Sequence, residues 1–280
     1  MQRTLPVIAV NGVIDAQISP LDRGFNYGDG VFETCKLWNA HIPLWNLHKE
    51  RLLSSCHRLL IPVDIDQVEA HLAQLLTSIG ATTEAVVKIT VTRGAGGRGY
   101  AIPAQVKPTV VIGIFPAPFY APSHFSEGVR VILCRQRLAC NPALAGLKHL
   151  NRLEQILARC EWQDDSTAEG LMQDTEGHVI EAVFSNIFLV KNNLLITPDL
   201  SRSGVAGVMR RLLIETLAPQ ENIRVCIQAC NLSDVIAADE VFLSNSLYGI
   251  WPIKEIVSEQ QFGVGPVTSR LQSALRKHFH

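Results

Sequence analysis

The stretch Pro116-Ala117-Pro118-Phe119-Tyr120-Ala121-Pro122 constrains the fold more than any other. Each proline fixes φ and lacks an N–H donor, so the stretch suits neither a helix interior nor a central strand and reads as an extended, semi-rigid connector. At 280 residues the chain exceeds what one hydrophobic core ordinarily holds. A boundary here predicts a small N-terminal α/β domain over 1–115, a linker over 116–124 and a larger C-terminal domain over 125–280. Strand-like and helix-like patterns alternate on both sides of it. The expected fold class is therefore α+β (mixed α/β), in two domains.

Residues 7–14 read as a hairpin, because Asn11-Gly12 supplies the positive φ angles of a two-residue turn. Asp22-Arg23-Gly24-Phe25-Asn26-Tyr27-Gly28-Asp29-Gly30 reads as a loop, its three glycines marking sharp bends. Strands are expected over 31–38, 85–92 and 109–115. Helices are expected over 45–60 and 65–79, where apolar residues recur at helical spacing. Beyond the linker the pattern predicts strands over 129–135, 169–173, 178–190, 222–228 and 240–243. It also predicts a helix over 151–162 with Leu153, Ile156, Leu157 and Cys160 facing inward. A short helix begins after Asn231, a good capping residue, and a closing helix covers 266–280.

Several residues stand out chemically. Ala145-Gly146-Leu147-Lys148-His149-Leu150 sets one lysine among apolar neighbours. Burial disfavours an ammonium, and the neutral amine is a nucleophile suited to imine chemistry. A surface lysine at a helix start fits the same letters. Arg51 falls on the apolar face of the 45–60 helix beside Leu44, Leu47 and Leu52. A guanidinium there needs a planar oxyanion, either a bound carboxylate or phosphate or an internal salt-bridge partner. Glu181 stands alone among hydrophobes. An unpaired buried carboxylate is costly, so Glu181 is expected to face a cation or a donor unless it sits at a strand end reaching solvent. Ser203-Gly204-Val205-Ala206-Gly207-Val208-Met209 reads as a loop entering a helix, whose N-terminus offers N–H groups and a positive dipole end to an anion.

Arg93-Gly94-Ala95-Gly96-Gly97-Arg98-Gly99-Tyr100 contains G-x-G-x-x-G after a strand. A dinucleotide site needs that motif to open a helix, with an acid roughly 20 residues on. Here Pro103 and Pro108 break any helix, and the sequence around Phe119 carries no acid. The expectation is a flexible surface loop. Its Arg98 and Tyr100 suit an anionic, ring-shaped small molecule, and a plain solvated loop is the alternative.

A lysine, an arginine, a lone acid and a glycine-opened helix make up the set that pyridoxal phosphate chemistry requires. The aldehyde needs a lysine, the pyridine nitrogen an acid, and the phosphate an arginine and backbone donors. On these motifs the sequence resembles the D-amino-acid and branched-chain aminotransferase-like class (fold type IV) of pyridoxal-phosphate enzymes, over nearly the whole chain. Phe25-Asn26-Tyr27-Gly28-Asp29-Gly30-Val31-Phe32-Glu33 and His48-Lys49-Glu50-Arg51-Leu52 match the class broadly. Gly146-Leu147-Lys148-His149-Leu150-Asn151-Arg152-Leu153-Glu154-Gln155 and the 93–100 stretch are similar to its aminodeoxychorismate lyase branch.

The resemblance implies a D-amino-acid aminotransferase-like fold. It implies conversion of 4-amino-4-deoxychorismate to 4-aminobenzoate and pyruvate, a step of folate biosynthesis. It implies that Lys148 joins the cofactor and moves protons. Arg51 would hold the phosphate with the backbone at Gly207, Val208 and Met209 and the Asn245-Ser246 loop. Glu181 would pair with the pyridine nitrogen, with Asn186 in the same cofactor site, and Tyr27, Arg98 and Tyr100 would line the substrate side. A homodimer is also implied. Where the class often carries a hydroxyl residue two after the glutamate, this chain has Val183, so that contact is lost or falls to Ser185. A transaminase of the same fold, acting on branched-chain or D-amino acids, and a non-catalytic binding protein that keeps the phosphate pocket remain as alternatives.

The bulk numbers narrow the setting. A net charge of −1 gives no footprint for nucleic acid or an anionic membrane. No apolar run reaches membrane-spanning length. Met1-Gln2-Arg3-Thr4-Leu5-Pro6 lacks a signal-peptide core, and the seven cysteines are scattered without CxxC spacing. A cytoplasmic protein with reduced thiols and no metal site is expected.

Overall fold

The structure, a computed structural model, describes residues 4–79 and 84–279. The chain divides into two compact units. One takes the chain up to Phe119 together with Leu147–Asn151; the other takes Tyr120–Gly146 and everything from Arg152 onward.

Among the described residues, the first unit is a five-stranded sheet with two long helices and one short one. Strands β1 (Val7–Val10), β2 (Val13–Ile14), β3 (Gly30–Trp38), β4 (Glu84–Thr92) and β5 (Thr109–Pro116) lie in the order β2-β1-β5-β4-β3. Every pairing is antiparallel. Asn11 and Gly12 take φ of 49° and 79°, the left-handed turn that the Asn-Gly pair favours. Helices α2 (Trp45–Arg58) and α3 (Ile65–Ile79) supply Leu52, Cys56, Val68, Leu72 and Leu75 to the core. Alternate residues of β3, namely Val31, Cys35 and Leu37, meet them, with Val87, Ile89 and Val91 of β4. The same alternation buries Glu33.

The 22–30 stretch contains a short helix, α1 (Arg23–Tyr27), where a loop was expected. Asp22 caps its start by accepting from the Gly24 N–H, and Gly28 ends it in the left-handed conformation. A single helical turn between an aspartate cap and a glycine stop is too short to show a hydrophobic period. The 93–101 loop is pinned to this helix: the Arg23 guanidinium donates to the carbonyls of Gly99, Tyr100 and Ala101. The expected free loop is thus a bonded one. Leu147–Asn151, although beyond the proline stretch in sequence, runs along the open edge of β3. The Phe32 N–H donates to the Lys148 carbonyl and the Leu150 N–H to the Gly30 carbonyl.

The second unit is built on a nine-stranded mixed sheet. Its strands are β6 (Val129–Leu138), β7 (Thr167–Asp174), β8 (Val179–Ala182), β9 (Asn186–Lys191), β10 (Leu194–Pro198), β11 (Arg224–Gln228), β12 (Glu240–Asn245), β13 (Gly249–Ile256) and β14 (Gln260–Gln261). The order is β11-β10-β9-β12-β13-β6-β7-β8, with β14 on β13. A further pairing of β8 with β9, at Glu181 and Asn186, closes β9-β12-β13-β6-β7-β8 into a ring. The 178–190 run expected as one strand is therefore two, folded back at 183–184. Neither residue there is a glycine, proline or asparagine, so the sequence carries no turn signal.

Helices α4 (Ser123–Ser126), α5 (Leu153–Arg159), α6 (Val208–Leu212), α7 (Ala218–Gln220), α8 (Leu232–Ile236) and α9 (Pro266–His278) complete this unit, with one π-helical turn, Leu213–Leu217, joining α6 to α7. His280 of the expected closing helix lies outside the described residues. Helix α5 is shorter than expected and faces the other way. Leu153, Ile156 and Leu157 are 73%, 56% and 55% exposed and Cys160 is exposed, while Ala158 is buried. Polar bonds fix that orientation: Glu154 accepts from the Ala139 N–H, and Glu161 from the N–H groups of Arg135 and Gln136. No helix among the described residues is long and apolar enough to cross a membrane.

Candidate active site

In the first unit, backbone pairing with β3 holds Lys148 in place, and its ammonium lies 4.4 Å from the centre of the Phe32 ring. The lysine is half-buried. Arg51 projects from α2 onto Glu33 of β3. Its Nε donates to one carboxylate oxygen at 2.8 Å and its Nη2 to the other at 2.5 Å. His48, one turn earlier on the same helix, donates from Nδ1 to Glu33 at 2.7 Å, since a carboxylate can only accept. Burial pushes the Glu33 carboxyl up, but the charge and hydrogen bonds of Arg51, with the His48 bond, outweigh it and hold the pKa at about 2. Burial also lowers the pKa of His48, which keeps its imidazole neutral beside the arginine. Of the two readings of Arg51, the internal salt bridge is the one seen, and it fixes the plane of the guanidinium.

Tyr27 and Tyr100 stand together, ring centres 5.6 Å apart, and the Gly99 N–H donates to the Tyr27 hydroxyl. Arg98 is exposed in the same loop. At Gly94 a Cβ would come within 1.9 Å of the Lys107 carbonyl at a φ of +87°, so this glycine is required for the loop to close.

In the second unit, the loop from β10 into α6 is the focus. Buried Glu181 accepts from the Val205 N–H at 2.8 Å, and the Asn186 side-chain amide donates to the Val205 carbonyl at 2.9 Å. The two residues paired across the β8–β9 turn therefore clamp one residue of this loop, at its N–H and at its carbonyl. Arg152 supplies a cation: burial lowers its pKa, and the attraction of Glu181 and Glu154 works against that. Gly207 caps α6 and has no side chain to bond its N–H groups. A Cβ on Gly207 would lie 2.0 Å from Asn186 Oδ1, so a larger residue there requires the Asn186 amide to move. Val208 and Met209, the first helical residues, are buried and offer their backbone at the cap. Asn245 faces its own turn, its Oδ1 accepting from the N–H groups of Leu247 and Tyr248, and Ser246 follows it half-buried.

Three buried groups had been given no role on sequence grounds. Glu33 lies within a quoted motif, and the signal was there: counting by twos along β3 places it with Val31, Cys35 and Leu37. His48 follows from Glu33 but depends on how α2 packs, which spacing does not reveal. Glu169, on β7, is a fully buried acid with apolar residues nearby in sequence, as Glu181 is. Ser185, the residue that could supply the hydroxyl Val183 lacks, is buried, and its Oγ bonds Glu169 and Tyr248.

Taken unit by unit, these groups have the chemistry that the parts of pyridoxal phosphate call for: a glycine-capped helix N-terminus for a phosphate, a buried carboxylate for a protonated pyridine nitrogen, and a lysine held by its backbone for an aldehyde.

Comparison with known proteins agrees. The model of the family described as amino-transferase class IV matches residues 30–256. An aminodeoxychorismate lyase of Vibrio harveyi is 36% identical over 269 residues, spanning 95% of this chain and 98% of its own length. The crystal structure of 4-amino-4-deoxychorismate lyase from Pseudomonas aeruginosa superposes with a TM-score of 0.92 at 45% identity, covering 96% of this chain and 98% of that one. The branched-chain amino acid aminotransferase of Escherichia coli superposes at 0.85 with 26% identity, covering 97% and 93%. The chain belongs to the class IV aminotransferase family, whose fold it shares.

Proposed function

We propose that this protein is a pyridoxal-phosphate-dependent lyase that converts 4-amino-4-deoxychorismate to 4-aminobenzoate and pyruvate, in the route to folate. The observation that carries the reading is likeness to two aminodeoxychorismate lyases over nearly the whole chain, together with the family's lysine at position 148. The cofactor supplies an aldehyde that joins amines and a ring that draws electrons from the carbon bearing nitrogen.

This chain supplies the rest. Lys148 holds the cofactor, gives way to the substrate amine, and then removes the proton from the ring carbon that carries that amine. The neighbouring C–O bond breaks, the ring becomes aromatic, and the enolpyruvyl group leaves. Lys148 or a water returns a proton to it, which yields pyruvate. Glu181 keeps the pyridine nitrogen protonated. Arg51, oriented by Glu33, and the α6 N-terminus at Gly207, Val208 and Met209 take the phosphate, with Asn186 shaping that turn and Asn245-Ser246 beside it. Arg98, Tyr27 and Tyr100 receive the substrate carboxylates and ring.

A proline-rich division at 116–124, a cytoplasmic setting and a homodimer belong to the same reading. The apolar stripe Leu153, Ile156 and Leu157, turned outward on α5, supports the dimer. The test is pyruvate release from aminodeoxychorismate by the cofactor-loaded protein. Release without a keto-acid acceptor is expected. Turnover only when an acceptor is present would make the protein a transaminase, and cofactor uptake with no pyruvate would make it a binding protein.

A further inference from the structure

The β8–β9 turn lacks the features that ordinarily make such a turn. Glu181 pairs with Asn186, and the Ala182 N–H donates to the Ser185 carbonyl at 2.7 Å, which leaves a two-residue loop at Val183 and Phe184. Two-residue hairpin loops favour turns with positive φ, built from Gly or Asn. Neither Val183 nor Phe184 has a positive φ. Something outside the turn must hold it, and a single side chain on the neighbouring strand is bonded to it twice. Glu169 Oε1 accepts from the Ser185 hydroxyl at 2.7 Å and from the Phe184 N–H at 3.3 Å. Ser185 Oγ continues to the Tyr248 hydroxyl at 2.5 Å. Tyr248 in turn stacks on Trp251, ring centres 3.7 Å apart and planes nearly parallel, which braces the far end of this relay.

We propose that Glu169 is a positioning residue: its buried carboxyl group fixes the 183–184 turn and, through it, the alignment of Glu181 and Asn186 on Val205. The proposal rests on the functional reading above in one respect, that Glu181 and Asn186 serve the cofactor.

The arrangement calls for a neutral acid. Every group that bonds to Glu169, namely Ser185, Phe184 and Gly170, is itself neutral. The ionisable groups around it are Glu181 on β8, Tyr248 before β13 and Cys134 on β6, and each would add negative charge, not positive. Burial pushes the Glu169 carboxyl up to about 8, with Glu181 adding to the rise and the three hydrogen bonds opposing it. Ionisation would place an uncompensated charge under the turn.

The test compares the full chain with E169Q, which keeps the shape and cannot ionise, and with E169A. Two readouts are followed from about pH 6 to about pH 9.5: Tm of the cofactor-free protein and Kd for pyridoxal phosphate. If only the neutral form aligns the turn, wild-type affinity falls about tenfold by one pH unit above the carboxyl's pKa. Wild-type Tm falls earlier, from about pH 6 to about pH 8, where the unfolded chain has ionised and the folded one has not, and levels off above that; E169Q shows neither of these falls. E169A binds the cofactor more weakly at every pH, and E169Q restores the affinity near neutrality. Parallel wild-type and E169Q profiles in both readouts would overturn the proposal. A wild-type chain that takes up no pyridoxal phosphate at any pH would refute the functional reading, and the Tm profiles would then decide the role of Glu169 alone.

Discussion

Glutamine in place of Glu33 removes a charge that both Arg51 and His48 bond inside the first unit. The structure sets the magnitude. The carboxyl has a pKa of about 2, well below the usual 4.5 of a glutamate, and its side chain is 1% exposed, so little screening applies. That difference corresponds to about 3 kcal/mol. Because the folded-state pKa is the lower one, this stabilisation is complete above about pH 4.5 and drains away as the pH falls toward about 2. At about pH 3 roughly 1 kcal/mol of it remains. E33Q should therefore cost about 3 kcal/mol at pH 7, since it removes the charge opposite a guanidinium whose side chain is only 12% exposed. Near pH 3 the gap between wild type and variant should close by about 2 kcal/mol. Hydrogen exchange of peptides covering β3 and β4 measures the opening free energy of this unit directly. An equal loss at both pH values, or no loss at either, would refute the electrostatic account of the Glu33–Arg51 pair.

Two further outcomes follow from the geometry. Gly207→Ala, whose Cβ would lie 2.0 Å from Asn186 Oδ1, should raise Kd for pyridoxal phosphate by roughly tenfold or more, read by absorbance titration. Leu157→Glu, on the exposed α5 stripe, should shift the protein from dimer to monomer in sedimentation equilibrium; an unchanged mass would remove that stripe from any interface.

Much of this was legible in the letters, and the exceptions have physical causes. Asn11-Gly12 announced its hairpin because the pair has a backbone preference of its own, and Asn192-Asn193 likewise turns with φ of 49° and 61°. Helices α2 and α3 are long enough for a period to show. Helix α1 is one turn long, so only its caps could have given it away. The break at 183–184 is bonded to β7, with the Val183 N–H donating to the Gly170 carbonyl and Phe184 and Ser185 donating to Glu169, which no local rule contains. The outward face of α5 is set by Glu154 and Glu161 reaching backbone donors on and just after β6, and an apolar stripe alone does not say which side is covered. In the site, Glu181 was readable as an acid among hydrophobes. By the same rule Glu33 and Glu169 were readable too, once strand alternation is applied to every acid and not only to the most isolated one.

The account turns on Lys148. Borohydride reduction of the cofactor-loaded protein fixes the cofactor to whichever lysine carries it, and peptide mapping then identifies that residue. A single tagged peptide containing Lys148, absent from a Lys148→Ala variant that also releases no pyruvate, is the predicted result. A tag on another lysine, or no tag on a protein that still turns over substrate, would contradict it.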